Sequence, residues 1–233
     1  ALSRIDRSST TLTISDLFVI AEQLGCVWKL EKLCRNKALK AAVEKPENVK
    51  LFLNVDGNII QDKAFIQGFT NRKAMKAGVP ASDIVFEITE RSDIENYQIL
   101  QQIMKHYADQ GYEIALDDVG AGHSGLNRVV NTTPDYLKAD IELVRDIHKY
   151  KKKEIMMKLL LDYCNATGAI LIAEGIETVQ ELECLHSLGV HYGQGFFLGK
   201  PERAFGNISA ESEEILERLN RRNNILFLDI SGK

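Results

Sequence analysis

Apolar runs typical of β-strands alternate with helical patterns along most of the chain. Short runs rich in β-branched and aromatic residues occupy 50–55, 83–89, 112–118, 134–140 and 169–175. Between them, Leu, Ile and Met recur at spacings of three and four over 60–77, 92–109, 141–166 and 178–188, which is the period of an amphipathic helix. Strands that alternate with helices predict βαβ units, a parallel sheet and therefore an α/β fold class.

The C-terminal part follows a different pattern. Residues 209–222 predict a helix, and the apolar run after it predicts either a strand that closes the domain or the start of a linker or further module. We therefore divide the chain into a main domain, 1–208, and a C-terminal part, 209–233. Because residue 1 is Ala and not Met, we expect further sequence upstream.

Composition and charge argue against some classes of partner. The 233 residues carry a formal net charge of −4, so no overall basic field favours polymeric nucleic acid or an anionic membrane. No apolar run approaches the roughly 18–20 residues that a membrane span needs. The four cysteines form no CxxC pair, which is typical of reduced thiols in the cytosol. We expect a cytoplasmic domain without membrane contact of its own, whatever anchor the full-length protein carries.

Polar residues that could bind a metal or a phosphate lie near the ends of the predicted strands, at intervals of about one strand plus one helix. They are Asn54, Glu87, Asp117, Asp118, Lys138, Asp140, Glu174 and Gln194. In a parallel α/β barrel the carboxyl ends of the strands meet at one rim, so these side chains are expected to share a pocket. Oxygen ligands favour Mg²⁺ or Mn²⁺, and two ions that share a carboxylate suit phosphodiester hydrolysis.

Each of these residues also has a simpler interpretation. Asp117 and Asp118 precede a Gly-rich turn in EIALDDVGAGHSGL (113–126), and taken alone this pair is typical of an exposed turn. Lys138 alone is typical of a surface lysine whose stem covers apolar area. Glu87 and Glu174 end apolar runs, where solvated rim positions are the alternative. The convergence of strand ends favours the metal site for the whole set.

Six motifs give the chain its resemblance to a known family. LNVDG, FEITE, DDVGAG, LKAD, AEGIET and GQGFFLGKP resemble, in order and spacing, the motifs of the EAL domain family over residues 1 to about 203. Members are cyclic di-GMP phosphodiesterases with a modified TIM (β/α)8 barrel. The opening ALSR resembles the tail of the Glu-Ala-Leu signature, which implies that the N-terminal strand and its metal-binding glutamate lie upstream of this chain.

The resemblance implies a role for each site residue. By resemblance the metal ligands are Asn54, Glu87, Asp117, Asp118 and Glu174, with Asp117 bridging two ions, Mg²⁺ or Mn²⁺. Glu174 is implied either as general base or as ligand of the second metal. Lys138 resembles the lysine that contacts the metal-bound water and the scissile phosphate, and Glu90 the glutamate that holds the loop after Asp118. Arg4, Asp140 and Gln194 are implied at the substrate.

The loop after Asp118 departs from the family pattern. Val119, Ala121, His123 and Gly125 stand where the family usually has Phe, Thr, an aromatic residue and Ser. In the family this loop couples the site to dimerisation. The resemblance also implies a homodimer and fusion to sensory or GGDEF-type modules.

Two functions therefore stay open. The first is hydrolysis of cyclic di-GMP to linear pGpG by two metal ions. The second is a catalytically silent EAL domain that binds cyclic di-GMP or a protein partner, and the altered loop is the feature that favours it. A Glu directly before Ala1 would favour the enzyme. A third and more distant hypothesis is a barrel enzyme in which Mg²⁺ binds a carbonyl substrate and Lys138 acts as base.

Overall fold

The chain forms two compact units, Ala1–Glu113 and Ile114–Lys233, each built from helices and parallel strands. The computed structural model describes residues 3–4, 11–88, 97–120, 125–202, 205–223 and 228–229. Within them, no helix is both long and apolar enough to cross a membrane. The predicted α/β fold class is confirmed.

The first unit pairs two strands and packs helices against them. Its helices are α1 (Ile14–Gln23), α2 (Val27–Ala41), α3 (Phe69–Ala77) and α4 (Tyr97–Ala108). Its strands β1 (Leu51–Val55) and β2 (Ile84–Ile88) pair in parallel, with Asn54 opposite Glu87. All five residues of β2 are buried, as expected for a strand covered on both faces. The largest buried side chains of this unit include Trp28, Leu39, Phe86, Leu100 and Tyr107.

The second unit continues the alternation. Its strands are β3 (Glu113–Val119, starting at the last residue of the first unit), β4 (Tyr136–Ala139), β5 (Ile170–Ala173), β6 (Tyr192–Gly193) and β7 (Leu228–Asp229). Each pairs in parallel with the next. Its helices are α5 (Gly125–Val130), α6 (Ile141–Val144), α7 (Lys151–Thr167), α8 (Val179–Leu188) and α9 (Ala210–Asn223).

All five predicted strands are confirmed, with bounds that differ by two residues or fewer. The helices over 178–188 and 209–222 are confirmed as α8 and α9. Of the run after α9, the structure describes Leu228–Asp229, which form strand β7. α4 confirms the helix over 92–109 from residue 97 onward, while 92–96 lie outside the described residues.

Two predicted helices are wrong in extent. The pattern over 60–77 gives an α-helix only from Phe69, because Gly68 adopts a left-handed backbone (φ 69°) and ends the preceding turns. The pattern over 141–166 breaks between α6 and α7, where Asp146 is left-handed (φ 57°). The helices α1 and α2 were not predicted at all, although Thr13 and Asp16 form a capping box at the start of α1.

Candidate active site

Three carboxylates converge in the second unit. Asp117 and Asp118 lie near the end of β3, and Glu174 follows β5. One carboxylate oxygen from each lies within 4.8 Å of the others, and all three residues are half-buried. We call these residues the acidic cluster. Like charges this close repel in a partly desolvated position, so the arrangement favours a bound cation.

An irregularity in β3 brings both aspartates to the cluster. Neighbouring residues of a regular strand point to opposite faces. Here the pairing of β3 with β4 shifts register between Leu116 and Val119, and Asp118 takes a left-handed backbone at φ 57°. Such bulges redirect side chains beside functional sites, and Asp tolerates this backbone better than most residues. The bulge therefore explains how adjacent aspartates serve one site.

Lys138 is the cation that the structure places in the cluster. It lies on β4, is only 4% exposed, and its Nζ is 2.8 Å from Asp117 Oδ1 and 2.5 Å from Glu174 Oε1. One lysine against three carboxylates leaves an excess of negative charge. The surface interpretation of Lys138 is wrong, because a lysine stem on the surface would keep its ammonium group in water.

Gln194 also belongs to this group. Its side-chain Nε2 donates a hydrogen bond to Glu174 Oε1, and its backbone N–H donates to Ala173 O at 2.8 Å. Asp140, which follows β4, is 8% exposed and accepts a hydrogen bond from the Glu142 N–H as the N-cap of α6. The structure thus shows a local structural use for Asp140, and its role at the substrate stays a prediction.

The first unit contains the other predicted ligands. Asn54 and Glu87 are register partners near the ends of β1 and β2. Asn54 is exposed, whereas Glu87 is only 7% exposed. Arg4 is exposed. Glu90 lies outside the described residues, as do 121–124 of the altered loop, including His123.

The donor set fits a hard divalent cation. The cluster offers only carboxylate oxygens, with an amide oxygen available from Gln194, and no histidine or cysteine takes part among the described residues. Oxygen-only sets with several carboxylates suit Mg²⁺, Mn²⁺ or Ca²⁺ better than zinc. Asp117, Asp118 and Glu174 are therefore the residues of this unit that would hold such an ion.

The sequence analysis missed Glu181, which braces the loop after Glu174. Glu181 is 2% exposed and accepts hydrogen bonds from the backbone N–H groups of Asp146, Glu177 and Thr178. Thr178 and Glu181 form the capping box of α8. The signal was present in the sequence, because Thr followed three residues later by Glu marks a helix start.

Replacing Glu181 is expected to make stability less dependent on pH. Burial alone would raise the pKa of the Glu181 carboxyl, but its backbone hydrogen bonds outweigh burial and lower the pKa below the ordinary 4.5. A lowered pKa means that the carboxylate stabilises the fold above about pH 4.5, and that this stabilisation is lost as the pH falls through the lowered pKa. Glu181→Gln is expected to lower the free energy of unfolding at pH 7 by about 1–2 kcal/mol.

Urea unfolding of both proteins between pH 3 and 7 measures this difference. The gap between wild type and Glu181→Gln should close at the acidic end. Glu183→Gln is the matched control, because Glu183 lies on the same helix with its side chain 43% exposed. A gap that stays constant with pH would contradict the assigned pKa shift.

Gly195 lets the loops after β5 and β6 pack against each other, and Gly175 lets the loop after β5 pack against α6. A Cβ on Gly195 would lie 2.1 Å from the Ile176 carbonyl oxygen, and one on Gly175 would lie 2.3 Å from the Ile141 side chain. Hydrogen bonds from Ile176 N to Gln194 O (3.1 Å) and from Phe197 N to Ile176 O (3.0 Å) join the two loops. Gly195 therefore fixes the distance between the loops that carry Glu174 and Gln194.

Gly195→Ala is expected to destabilise the protein by about 1–3 kcal/mol, because backbone cannot yield to the new methyl group as a side chain would. It should also separate Gln194 from Glu174. Gly206→Ala is the control, since its Cβ would meet only the flexible Glu202 side chain, at 3.2 Å. Thermal unfolding measures both; equal midpoints for the two variants would contradict this reading of the loop contact.

Comparison with known proteins identifies the family. The EAL domain model matches residues 1–201, and the chain belongs to the EAL domain family. It is 25% identical over 201 residues to the cyclic di-GMP phosphodiesterase PdeA of Borreliella burgdorferi, covering 84% of this chain and 30% of that protein. The chain therefore spans less than a third of this curated relative.

Solved structures of EAL proteins share the fold. A manganese and cyclic di-GMP complex of BlrP1 from Klebsiella pneumoniae is 28% identical, with a TM-score of 0.76 over 84% of this chain and 50% of that one. A standalone EAL protein from Vibrio cholerae with bound cyclic di-GMP is 27% identical, with a TM-score of 0.71 over 79% of this chain and 78% of that one. The EAL-type fold that the resemblance implied is thus confirmed.

Proposed function

We propose that this chain hydrolyses cyclic di-GMP to linear pGpG with two divalent cations, Mg²⁺ or Mn²⁺. The observation that carries the proposal is the acidic cluster with Lys138 inside it, in a chain of the EAL family. The relatives named as cyclic di-GMP phosphodiesterases and the BlrP1 complex with manganese and cyclic di-GMP support the same substrate and metal class.

Each residue of the proposed site has a separate role in binding metal or in catalysis. Asp117, Asp118 and Glu174 hold the cation, and the resemblance adds Asn54 and Glu87 to the ligands. When bound, the cations supply Lewis-acid stabilisation of phosphate charge and a nucleophilic hydroxide near neutral pH. Glu174 acts either as general base or as ligand of the second metal.

Lys138 offsets negative charge on the reacting phosphate. Its ammonium group lies within a half-buried carboxylate cluster, where a fixed positive charge interacts more strongly than it would in water. Gln194 orients Glu174 through its side-chain hydrogen bond. Arg4, Asp140 and Glu90 keep the roles that the resemblance gives them, the first two at the substrate and Glu90 at the loop after Asp118.

A second candidate function is a silent receptor for cyclic di-GMP. The observation that favours it is the altered loop that starts at Val119, which is 2% exposed where the family usually has Phe. For either function, we also propose a homodimer, fusion to sensory or GGDEF-type modules and a cytoplasmic location. These three proposals rest on the sequence and the resemblance alone.

Incubation of the chain with cyclic di-GMP separates the two functions. Product is followed by chromatography in Mg²⁺, in Mn²⁺ and in EDTA, and ligand binding is measured by equilibrium dialysis in parallel. We expect pGpG only in the presence of metal. Binding without product would favour the receptor, and the absence of both would contradict either function.

A further inference from the structure

A buried ion pair lies on α2 of the first unit, outside the site described above. Arg35 donates from its Nη2 to Glu31 Oε2, one helical turn away, and each residue is 2% exposed. Burial raises the pKa of the Glu31 carboxyl, although the Arg35 charge opposes that shift. Removing a partner from such a pair is costly, because it leaves the other charge uncompensated.

Glu31 fastens the loop after β1 to α2. Its second oxygen, Oε1, accepts a hydrogen bond from the Asp56 N–H, and Asp56 is the first residue after β1. At the other end of this loop, Asp62 Oδ2 accepts a hydrogen bond from the Trp28 N–H at 3.0 Å. Trp28 lies in the first turn of α2, whose N-cap residue makes no side-chain hydrogen bond. Two carboxylates thus connect residues 56–62 to one helix.

The guanidinium group of Arg35, which pairs with Glu31, also contacts strand β2. Its Cζ lies 5.0 Å from the centroid of the Phe86 ring, 5.2 Å from that of Trp28 and 5.6 Å from that of Tyr107. Its Nη1 donates to Thr70 Oγ1 at 3.2 Å. Phe86 is on β2 and fully buried. Cation–π contacts of a desolvated guanidinium are stronger than those at exposed sites, so this contact fixes the position of Phe86.

The contacts of Glu31 with Asp56 and of Arg35 with Phe86 lie beside two candidate metal ligands, Asn54 and Glu87. Asn54 is two residues before Asp56, and Glu87 directly follows Phe86. Because side chains alternate along a strand, a contact that fixes Phe86 on the helix side also fixes the direction of Glu87 on the other face. Asn54 and Glu87 are register partners. The Glu31–Arg35 pair therefore acts on the ends of β1 and β2 together.

Stability alone does not account for this pair. Buried ion pairs are often no more stable than apolar residues of the same volume. Two further buried donors beside it, Trp28 Nε1 and Arg35 Nε, find no acceptor among the described residues. Local arrangements that weaken a fold in this way are expected at functional positions.

We propose that Glu31 and Arg35 are positioning residues that hold Asn54 beside Glu87 at the paired ends of β1 and β2. The importance of this position for metal binding rests on the proposed function. Neither residue is expected to touch substrate or metal. Replacing either residue should therefore lower activity only by changing the geometry of the strand ends. Variants that keep the hydrogen bond to the Asp56 N–H should keep much of the activity.

Three variants on α2 test the proposal. Glu31→Ala removes the acceptor for the Asp56 N–H, whereas Glu31→Gln keeps an oxygen there. Leu39→Ala is the matched control, because Leu39 is a buried residue of the same helix that forms none of these hydrogen bonds. Hydrogen exchange of residues 51–58, measured without metal, reports the order of the strand end, and calorimetry with Mn²⁺ reports the affinity for the metal.

We expect Glu31→Ala to speed exchange over 51–58 and to weaken Mn²⁺ binding about 10-fold or more, with Glu31→Gln between it and wild type. Leu39→Ala should destabilise the fold with no specific effect on either measurement. Equal effects of Glu31→Ala and Leu39→Ala on exchange would overturn the proposal. If exchange separates them but wild type binds no Mn²⁺, the positioning role stands and the proposed function fails.

Discussion

Asp117→Asn is expected to lower the metal-dependent turnover of cyclic di-GMP by at least about 100-fold, since loss of even an indirect metal partner often costs 10–100-fold. Asp117 is the residue that the bulge in β3 and the contact with Lys138 both place in the acidic cluster. The amide that replaces its carboxylate keeps the size of the side chain and removes one negative charge. The loss should therefore appear as weaker metal binding and not as unfolding.

Mn²⁺ titration, thermal unfolding and turnover of the same protein samples separate these effects. Mn²⁺ should raise the unfolding midpoint of wild type by mass action and raise that of Asp117→Asn much less. Asp162→Asn is the matched control, because Asp162 is a 59% exposed aspartate on α7. If Asp117→Asn keeps full turnover at low Mn²⁺, Asp117 is not a metal ligand.

Lys138→Met is expected to have the second large effect, with opposite consequences for turnover and for metal binding. Without the lysine, the acidic cluster loses the cation that lies 2.8 Å from Asp117 and 2.5 Å from Glu174. The metal-free variant should unfold more easily, by about 3 kcal/mol, because the partly buried carboxylates lose their partner. A divalent cation no longer competes with the ammonium group, so Mn²⁺ should stabilise the variant more than it stabilises wild type.

Turnover should nevertheless fall by about 100–1,000-fold, as for removal of other groups that stabilise charge in a transition state. The measurements are the shift of the unfolding midpoint with Mn²⁺ and the rate of pGpG formation at saturating Mn²⁺. Lys158→Met, at a 60% exposed lysine of α7, is the control. A variant that binds Mn²⁺ more tightly and still turns over at the wild-type rate would contradict the role given to Lys138.

Much of the site was predictable because its residues lie at or near the ends of buried strands. The runs that end near Asn54, Glu87, Asp117, Lys138 and Glu174 are short and apolar, and the structure confirms each as a strand. Such runs depend on local composition, which a single sequence contains. The parallel order of their strands predicted that Asp117, Lys138 and Glu174 would converge, and Lys138 contacts both carboxylates. Their roles in binding and catalysis stay predictions.

The remaining features depend on contacts between distant parts of the chain. The left-handed backbone of Asp118 cannot be read from the Asp-Asp pair, because the same pair suits an exposed turn. Asp62 Oδ2 accepts a hydrogen bond from the Trp28 N–H, 34 residues earlier, and this bond connects the loop after β1 to α2. Glu31 and Arg35 have the i,i+4 spacing typical of an exposed helix face, yet both are buried. These outcomes are tertiary, so composition and periodicity gave no signal for them.

We propose that this chain uses water to open a phosphodiester bond of cyclic di-GMP in a metal-dependent reaction. The most direct measurement is mass spectrometry of the product formed by the wild-type chain in ¹⁸O-labelled water with Mn²⁺. We expect pGpG that carries one ¹⁸O atom on its terminal phosphate, formed with Mn²⁺ and not with EDTA. Unlabelled product, or intact cyclic di-GMP after prolonged incubation with Mn²⁺, would contradict it.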